Sequence, residues 1–538
     1  MRFLVAFWCV TLLLHGTADQ RDLLQLAWTF RTVSSESSLG TAKAVRALSL
    51  AQLPLADNDA DAHRRTILPV VDKVENFTCG AKGSDGGWKE GADSTVRIGR
   101  TVWAHFDAPN YLVHAGPGVK TFWNYPSGDN ALGAGTGTPR QLGTEQVHFV
   151  IRIPCSALHG STSAASSSSS FPFLLEYGHG LFGSRAEALD DYLGRMGEAY
   201  NWLVFATDWA GMSQFDVPQA VRLLGARLDE FAALPQRTVQ GFAHMALLLR
   251  LMGSETLAAL PELRAYDGSA LLSPRQHAAA AKQAQEAIQR GNVNPPPSTP
   301  NDREYAAYYG NSQGSVVGCG YLAFNTELKR GVCGVPGCPF ALILSRSKDF
   351  APFYQILQSQ LTHAQDVRLA ITMLEMLWQA GESGGWLDEM HPKQVLLQAG
   401  LGDAQVSTLG AELMARAYNA STVHPQTRPV WGVEEQMAPF RGSALVEFEY
   451  QDVPDSPATD TPRTDGKDVH ECVRRERAAQ DQMRGFVERG LVTQQCVAPN
   501  HTTAAGAPPL PQQQQQQQQQ VVAAKCVRNH CPRGNSEN

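Results

Sequence analysis

Between residues 171 and 448, short apolar runs alternate with long stretches of helical periodicity, and no other feature limits the fold so strongly. Residues 173–177 (FLLEY), 202–206 (WLVFA), 305–309 (YAAYY), 340–344 (FALIL), 394–398 (QVLLQ) and 444–448 (ALVEF) read as strands, with a shorter segment at Val332. Residues 218–231, 239–251 and 364–378 read as helices between them. A strand covered on both faces needs apolar side chains in both directions, so it appears as an unbroken apolar run. Such runs separated by helices predict an α/β architecture, with a mostly parallel central sheet flanked by helices.

The rest of the chain is organised around this block. Residues 21–53 have helical spacing. From about 72 to 155, Gly, Asn, Pro and aromatic residues punctuate short runs, and 147–153 alternates as a strand does. We assign 19–170 to a β-rich N-terminal extension closed by the Ser-rich linker 160–170, although its strands would equally serve as the first of the main sheet. The α/β domain is expected over 171–495. Its segment 213–300 is long for one crossover and reads as a helical cap insertion, with Ala/Gln-rich 275–290 and Pro-rich 295–300. Residues 496–538, with polyglutamine at 512–520, are expected to be a disordered tail.

Export is the expected fate. Arg2 precedes the largely apolar run 3–14, and Gly16 and Ala18 suit a signal peptidase, so 1–18 reads as a cleaved signal peptide. That run is short for a bilayer span, which takes about 20 residues, and no other stretch is apolar enough. With Cys9 lost, nine cysteines remain, leaving at least one unpaired within the chain. Cys333 with Cys338, Cys472 with Cys496 and Cys526 with Cys531 are candidate pairs by proximity. Sequons at Asn76, Asn419 and Asn500 are glycosylation candidates in a secretory pathway. A net charge of −7 and pI near 6.1 argue against a nucleic-acid partner. No Cys-x-x-Cys pairs occur, so neither a metal nor a cofactor is expected.

Chemistry is concentrated in a few places. Gly310-Asn311-Ser312-Gln313-Gly314 fits the G-x-S-x-G elbow, in which a serine stands on a sharp strand-to-helix turn. Five residues can match by chance, but here an apolar run precedes the motif and small residues follow it, which is the required setting. A serine hydroxyl needs a neighbouring base, and the chain order in this geometry is Ser, acid, His. Asp403 follows the run 394–398 within Gly400-Leu401-Gly402-Asp403. Among the later histidines, His424 precedes the last strand, His501 and His530 fall in the tail, and His470 lies in a loop after that strand. Ser312, Asp403 and His470 are therefore the catalytic candidates. The oxyanion donors are expected to be the backbone N–H of Gln313 and that of Leu181, the latter within Tyr177-Gly178-His179-Gly180-Leu181-Phe182-Gly183.

HGLFG, GNSQG, Gly402-Asp403-Ala404-Gln405-Val406 and the late His470 resemble the landmarks of the α/β-hydrolase superfamily. The stretches FATDWAGMS, RGVCGVPG, SRSKDFAPF and LLQAGLGDAQV are similar to exported bacterial α/β-hydrolases and lipoproteins of the lipase/esterase type. The resemblance spans about 171–487 and implies the α/β-hydrolase fold and a serine-hydrolase site at Ser312, Asp403 and His470. The group often carries a residue larger than Ala404 after the acid. A carboxylic ester, small or lipid, is the expected substrate because the cap would wall the serine with apolar surface. A serine peptidase or amidase would use the same triad, and a catalytically silent secreted binding module would retain the fold alone. Oligomeric state is not read from the sequence.

Overall fold

A computed structural model describes residues 34–55, 67–79, 98–114, 120–123, 138–159, 171–291, 304–453, 467–496 and 525–528. The signal peptide, the Ser-rich linker, the Pro-rich stretch, the polyglutamine run, the Asn500 sequon, His501, His530 and Cys531 lie outside the described residues.

In chain order the strands are β1 (Val70–Asn76), β2 (Ile98–Pro109), β3 (Leu112–His114), β4 (Lys120–Trp123), β5 (Thr144–Pro154), β6 (Phe173–Gly178), β7 (Trp202–Thr207), β8 (Ala306–Asn311), β9 (Arg330–Gly334), β10 (Gln394–Gly400), β11 (Ser421–Val423), β12 (Glu435–Gln436), β13 (Ala444–Tyr450) and β14 (Val527–Arg528). Twelve form one sheet in the order β1-β2-β5-β7-β6-β8-β9-β10-β13-β11-β12, with β14 on β13, and β3 and β4 form a separate pair. Pairing is antiparallel from β1 through β7 and parallel from β7 onward. The sheet is therefore mixed. The 72–155 segment supplies β2 and β5 as hydrogen-bonded members of the main sheet, the second of the two readings its sequence allowed, and a separate extension is not what these strands build.

Side-chain alternation divides the core into two layers. On β7, Leu203 and Phe205 face one layer, while Trp202, Val204 and Ala206 face the other. Both layers are covered by helices. The helix Ala233–Met252 is buried along nearly its whole length in the first layer, where its Gln236 and Gln240 accept from the backbone N–H of Trp123 and Tyr111. Helices Asp191–Tyr200 and Arg477–Arg489 cover the second. Each fully buried Leu or Phe stabilises by roughly 1.5–3 kcal/mol relative to exposure.

Four sequence expectations change. Residues 340–344 are the helix Phe340–Leu344, mostly half-buried; they are apolar because they wall a cleft, and the sheet position is filled by β9 around Val332. The 213–300 segment divides its work: Val217–Ala226 lines that cleft, whereas Ala233–Met252 is core against the sheet. Much of the cover comes from helices Phe340–Leu344, Ala351–Gln360 and Ala364–Trp378, between β9 and β10.

The tail is not wholly free, since Val527 and Arg528 pair with Glu449 and Tyr450 of β13. The cysteine pairs also differ: Cys79–Cys155, Cys319–Cys333 and Cys496–Cys526 are bonded, and Cys338 is free and buried. Cys472 is bonded to a partner outside the described residues. Proximity along the chain misleads here because Cys333 sits on β9 facing the helix Gly318–Phe324, while the Cys338 thiol turns to Glu382, 3.8 Å away. Among the described residues, no helix is long and apolar enough to cross a membrane. The described sequon residues Asn76 and Asn419 are both exposed.

Candidate active site

In the parallel half of the sheet, all strands finish at one edge. β6 runs out into the loop 179–183, β8 into Ser312, and β10 into the turn holding Asp403; His470 follows β13. Neighbouring β6 is linked onward to β7 on one side and β8 on the other, so the strand order reverses between β6 and β8. A crevice opens at such a reversal point. Ser312 and the 179–183 loop flank it.

The turn at Ser312 is strained and sterically enforced. Ser312 has φ 58° and ψ −127°, outside the regions comfortable for an L-residue, and is 8% exposed. A Cβ on Gly310 would lie 2.1 Å from the carbonyl oxygen of Gly314, and one on Gly314 would lie 2.1 Å from that of Gly178. The two glycines are the only residues that let β8, the following helix and β6 approach so closely. Beneath them the Tyr308 hydroxyl donates to the Gly314 carbonyl.

Asp403 and His470 are brought together from opposite ends of a 67-residue separation. His470 Nδ1 lies 2.9 Å from Oδ2 and 3.1 Å from Oδ1 of Asp403, and both residues are buried. Asp403 Oδ1 also accepts from the backbone N–H of Gln405 at 2.8 Å and Val406 at 2.9 Å, which fixes the carboxylate. Burial pushes the His470 imidazolium pKa down, but the Asp403 carboxylate outweighs this and holds it above the ordinary 6.5. His424, by contrast, pairs with Glu435 at 3.1 Å.

Of the two expected oxyanion donors, Gln313 directly follows the serine, and Leu181 lines the same cleft. Gln313 opens a helix, so its N–H has no acceptor within that helix. In the 179–183 loop, Gly180 N–H donates to Glu187 at 2.8 Å and Gly183 N–H to the Gly180 carbonyl at 3.1 Å. Leu181 lies between these committed groups and lines the same cleft as Ser312 and Gln313. His179 is structural in its contacts: its Nδ1 meets the Gly180 carbonyl at 2.8 Å, and its Nε2 accepts from Trp209 N–H at 2.8 Å. Burial lowers its pKa to about 4, so the ring is neutral, as an acceptor nitrogen requires.

Sequence reasoning missed the residues that clamp these loops. Asp468 Oδ1 accepts from Ala404 N–H and His470 N–H, both at 3.1 Å, tying the acid and base turns together, while its Oδ2 takes Gln405 Nε2 at 2.9 Å and Lys348 Nζ at 2.6 Å. Glu187 anchors the 179–183 loop. Neither carries a motif, because each acts on backbone groups distant in sequence; only the proximity of Asp468 to His470 was visible.

Above the serine lies a cleft of about 950 Å³, its open mouth included, walled chiefly by apolar side chains such as Phe182, Phe231, Phe340, Phe353 and Trp378. Asp349 is a polar element of its lining, its pKa raised by burial. Glu375 is another, hydrogen-bonded to the buried Glu382, whose pKa is held well above the carboxylate range by burial and then by Glu375.

No protein-family model and no curated protein matches the sequence. Among solved structures, the chain is similar to an acetyl xylan esterase of a Thermoanaerobacterium species at 13% identity, covering 77% of this chain and 88% of that one, with a TM-score of 0.32. It is similar also to a puromycin hydrolase (13% identity, 66% and 43% covered, TM-score 0.31). A third is the Pyrococcus horikoshii acylaminoacyl peptidase (10%, 67% and 48%, TM-score 0.28). The chain spans less than half the length of each of the last two.

Proposed function

We propose that this chain is a secreted serine hydrolase of the α/β-hydrolase fold that cleaves carboxylic esters through an acyl-enzyme. Ser312 Oγ attacks the ester carbonyl while His470 accepts its proton, and Asp403 holds the imidazole in the tautomer that leaves the far nitrogen basic. The N–H groups of Gln313 and Leu181 bind the oxyanion. The histidine returns its proton to the departing alcohol, and water then releases the acyl group by the same route. The observation that carries this reading is the paired Asp403 carboxylate and His470 imidazole, buried on the sheet edge where Ser312 stands in its strained turn.

The apolar walls of the cleft favour an ester with a hydrophobic acyl or alcohol portion, because burying such a group is worth about 25 cal/mol per Å². A fluorophosphonate probe tests the proposal. It should label the purified wild type and leave Ser312→Ala unlabelled; equal labelling of both overturns it. Hydrolysis of short esters should exceed that of matched peptide amides, and the reverse order would move the assignment to a peptidase.

A further inference from the structure

The antiparallel edge of the sheet carries a group of side chains that the active site does not use. On β2, Val102, Ala104, Phe106 and Ala108 are buried, so Trp103, His105 and Asp107 point to the opposite, more open face. His105 and His148 of β5 are directly paired across the two strands, with ring centroids 5.4 Å apart. The pairing of β1 with β2 shifts between Val71 and Lys73, and Asp72 is the residue at that irregularity. A bulge of this kind turns a side chain out of the regular alternation. Here it brings the Asp72 carboxylate between the imidazoles: Oδ1 lies 2.7 Å from His105 Nδ1, and Oδ2 lies 3.6 Å from His148 Nδ1. One donor atom from each residue falls within 4.8 Å of the other two.

We propose that Asp72, His105 and His148 form a divalent transition-metal site, with zinc as its natural occupant. Two imidazole nitrogens and one carboxylate oxygen make a borderline donor set that suits zinc, copper or nickel, whereas calcium and magnesium favour oxygen alone. Tetrahedral zinc with ligands at about 2.0–2.2 Å sets its donors roughly 3.4 Å apart. Each imidazole already lies near one oxygen of the Asp72 carboxylate, Oδ1 at 2.7 Å and Oδ2 at 3.6 Å, so a small rotation of that carboxylate presents one oxygen to an ion held by both rings. The nearest cation along the strand is engaged elsewhere, since Lys73 Nζ pairs with Glu75 at 2.7 Å. The three side chains are 38%, 17% and 42% exposed, in the order Asp72, His105, His148, so an ion has an entry path and room for water as the fourth ligand. Binding needs Nδ1 of each imidazole unprotonated, with the ring proton on Nε2.

The site is distinct from the active site. Strands β7 and β6 separate β5 from β8, which at about 4.8 Å per strand puts the cluster some 15 Å across the sheet from the nucleophile. An ion there joins β1, which among the described residues is paired on one side only, to both β2 and β5. Its effect is to fasten the edge of the sheet, with no part in ester cleavage.

Isothermal titration of chelator-treated full-length secreted protein with zinc chloride tests this. Wild type should bind one ion, and binding should raise its melting temperature. Asp72→Asn, His148→Ala and the double variant His105→Ala/His148→Ala should each weaken binding by more than roughly tenfold, since even outer partners of metal ligands cost that much. Ser312→Ala should bind as wild type does. Asp72→Asn, on an exposed edge, provides the comparison if the histidine variants fold poorly. Absence of zinc binding by the wild type overturns the proposal, as does undiminished binding by Asp72→Asn together with the double variant.

Discussion

The two halves of the sheet handle the same backbone differently. Across the sheet from β6 to β13 the strands are parallel and buried on both faces, and their carboxyl ends meet at one edge, where Ser312 follows β8 and the Asp403–His470 pair follows β10 and β13. From β1 to β5 they are antiparallel, with one face in the core and the other partly open, and polar side chains sit in mid-strand. Parallel strands thus export chemistry to their ends, whereas an antiparallel ribbon can display it along its length. Substitutions in the first half should affect catalysis or folding sharply, and those in the second should do little without a ligand.

The sharpest break is Ser312→Ala, which should reduce kcat on an ester by about 10⁶-fold with little change in melting temperature, measured by steady-state kinetics and calorimetry. Asp403→Asn should lower kcat by about 10⁴-fold, because the wrong imidazole tautomer is then favoured. Gly314→Ala should destabilise the fold by about 3 kcal/mol in denaturant titration, since its Cβ meets backbone at 2.1 Å. On the pH axis, only neutral His470 can act as base, so kcat/KM should rise with pH through an apparent pKa above 6.5. Asp403→Asn removes the charge that raises this pKa, so the residual activity should begin its rise at lower pH. The mildest change is Asp72→Ala in metal-free protein, which should alter stability by less than about 0.5 kcal/mol; a loss of several would show that the antiparallel edge is as critical as the parallel centre.

The parallel half was also the easier half to read. β6, β7, β10 and β13 announce themselves as unbroken apolar runs because both faces are covered, and the elbow is legible because a near-collision of strand and helix demands Gly310 and Gly314. Asp403 and His470 follow from chain order, although only the fold brings them to 2.9 Å. Residues 340–344 misled because apolar side chains serve a cleft wall as well as a sheet. Asp468 and Glu187 left no motif, since their partners are backbone N–H groups of distant segments. The His105–His148 pair was invisible because cross-strand register is a property of the folded ribbon, and a bulge was needed to add Asp72.

The Cys496–Cys526 bond has a consequence for the glutamine tract. Residues 512–520 lie between two covalently joined positions 30 residues apart, the second of them held against β13 by its neighbours Val527 and Arg528. The bond closes a covalent ring in the chain, which removes about 3–4 kcal/mol of freedom from the unfolded state. A protease that cuts among the glutamines should yield two pieces that still migrate as one until a reductant is added.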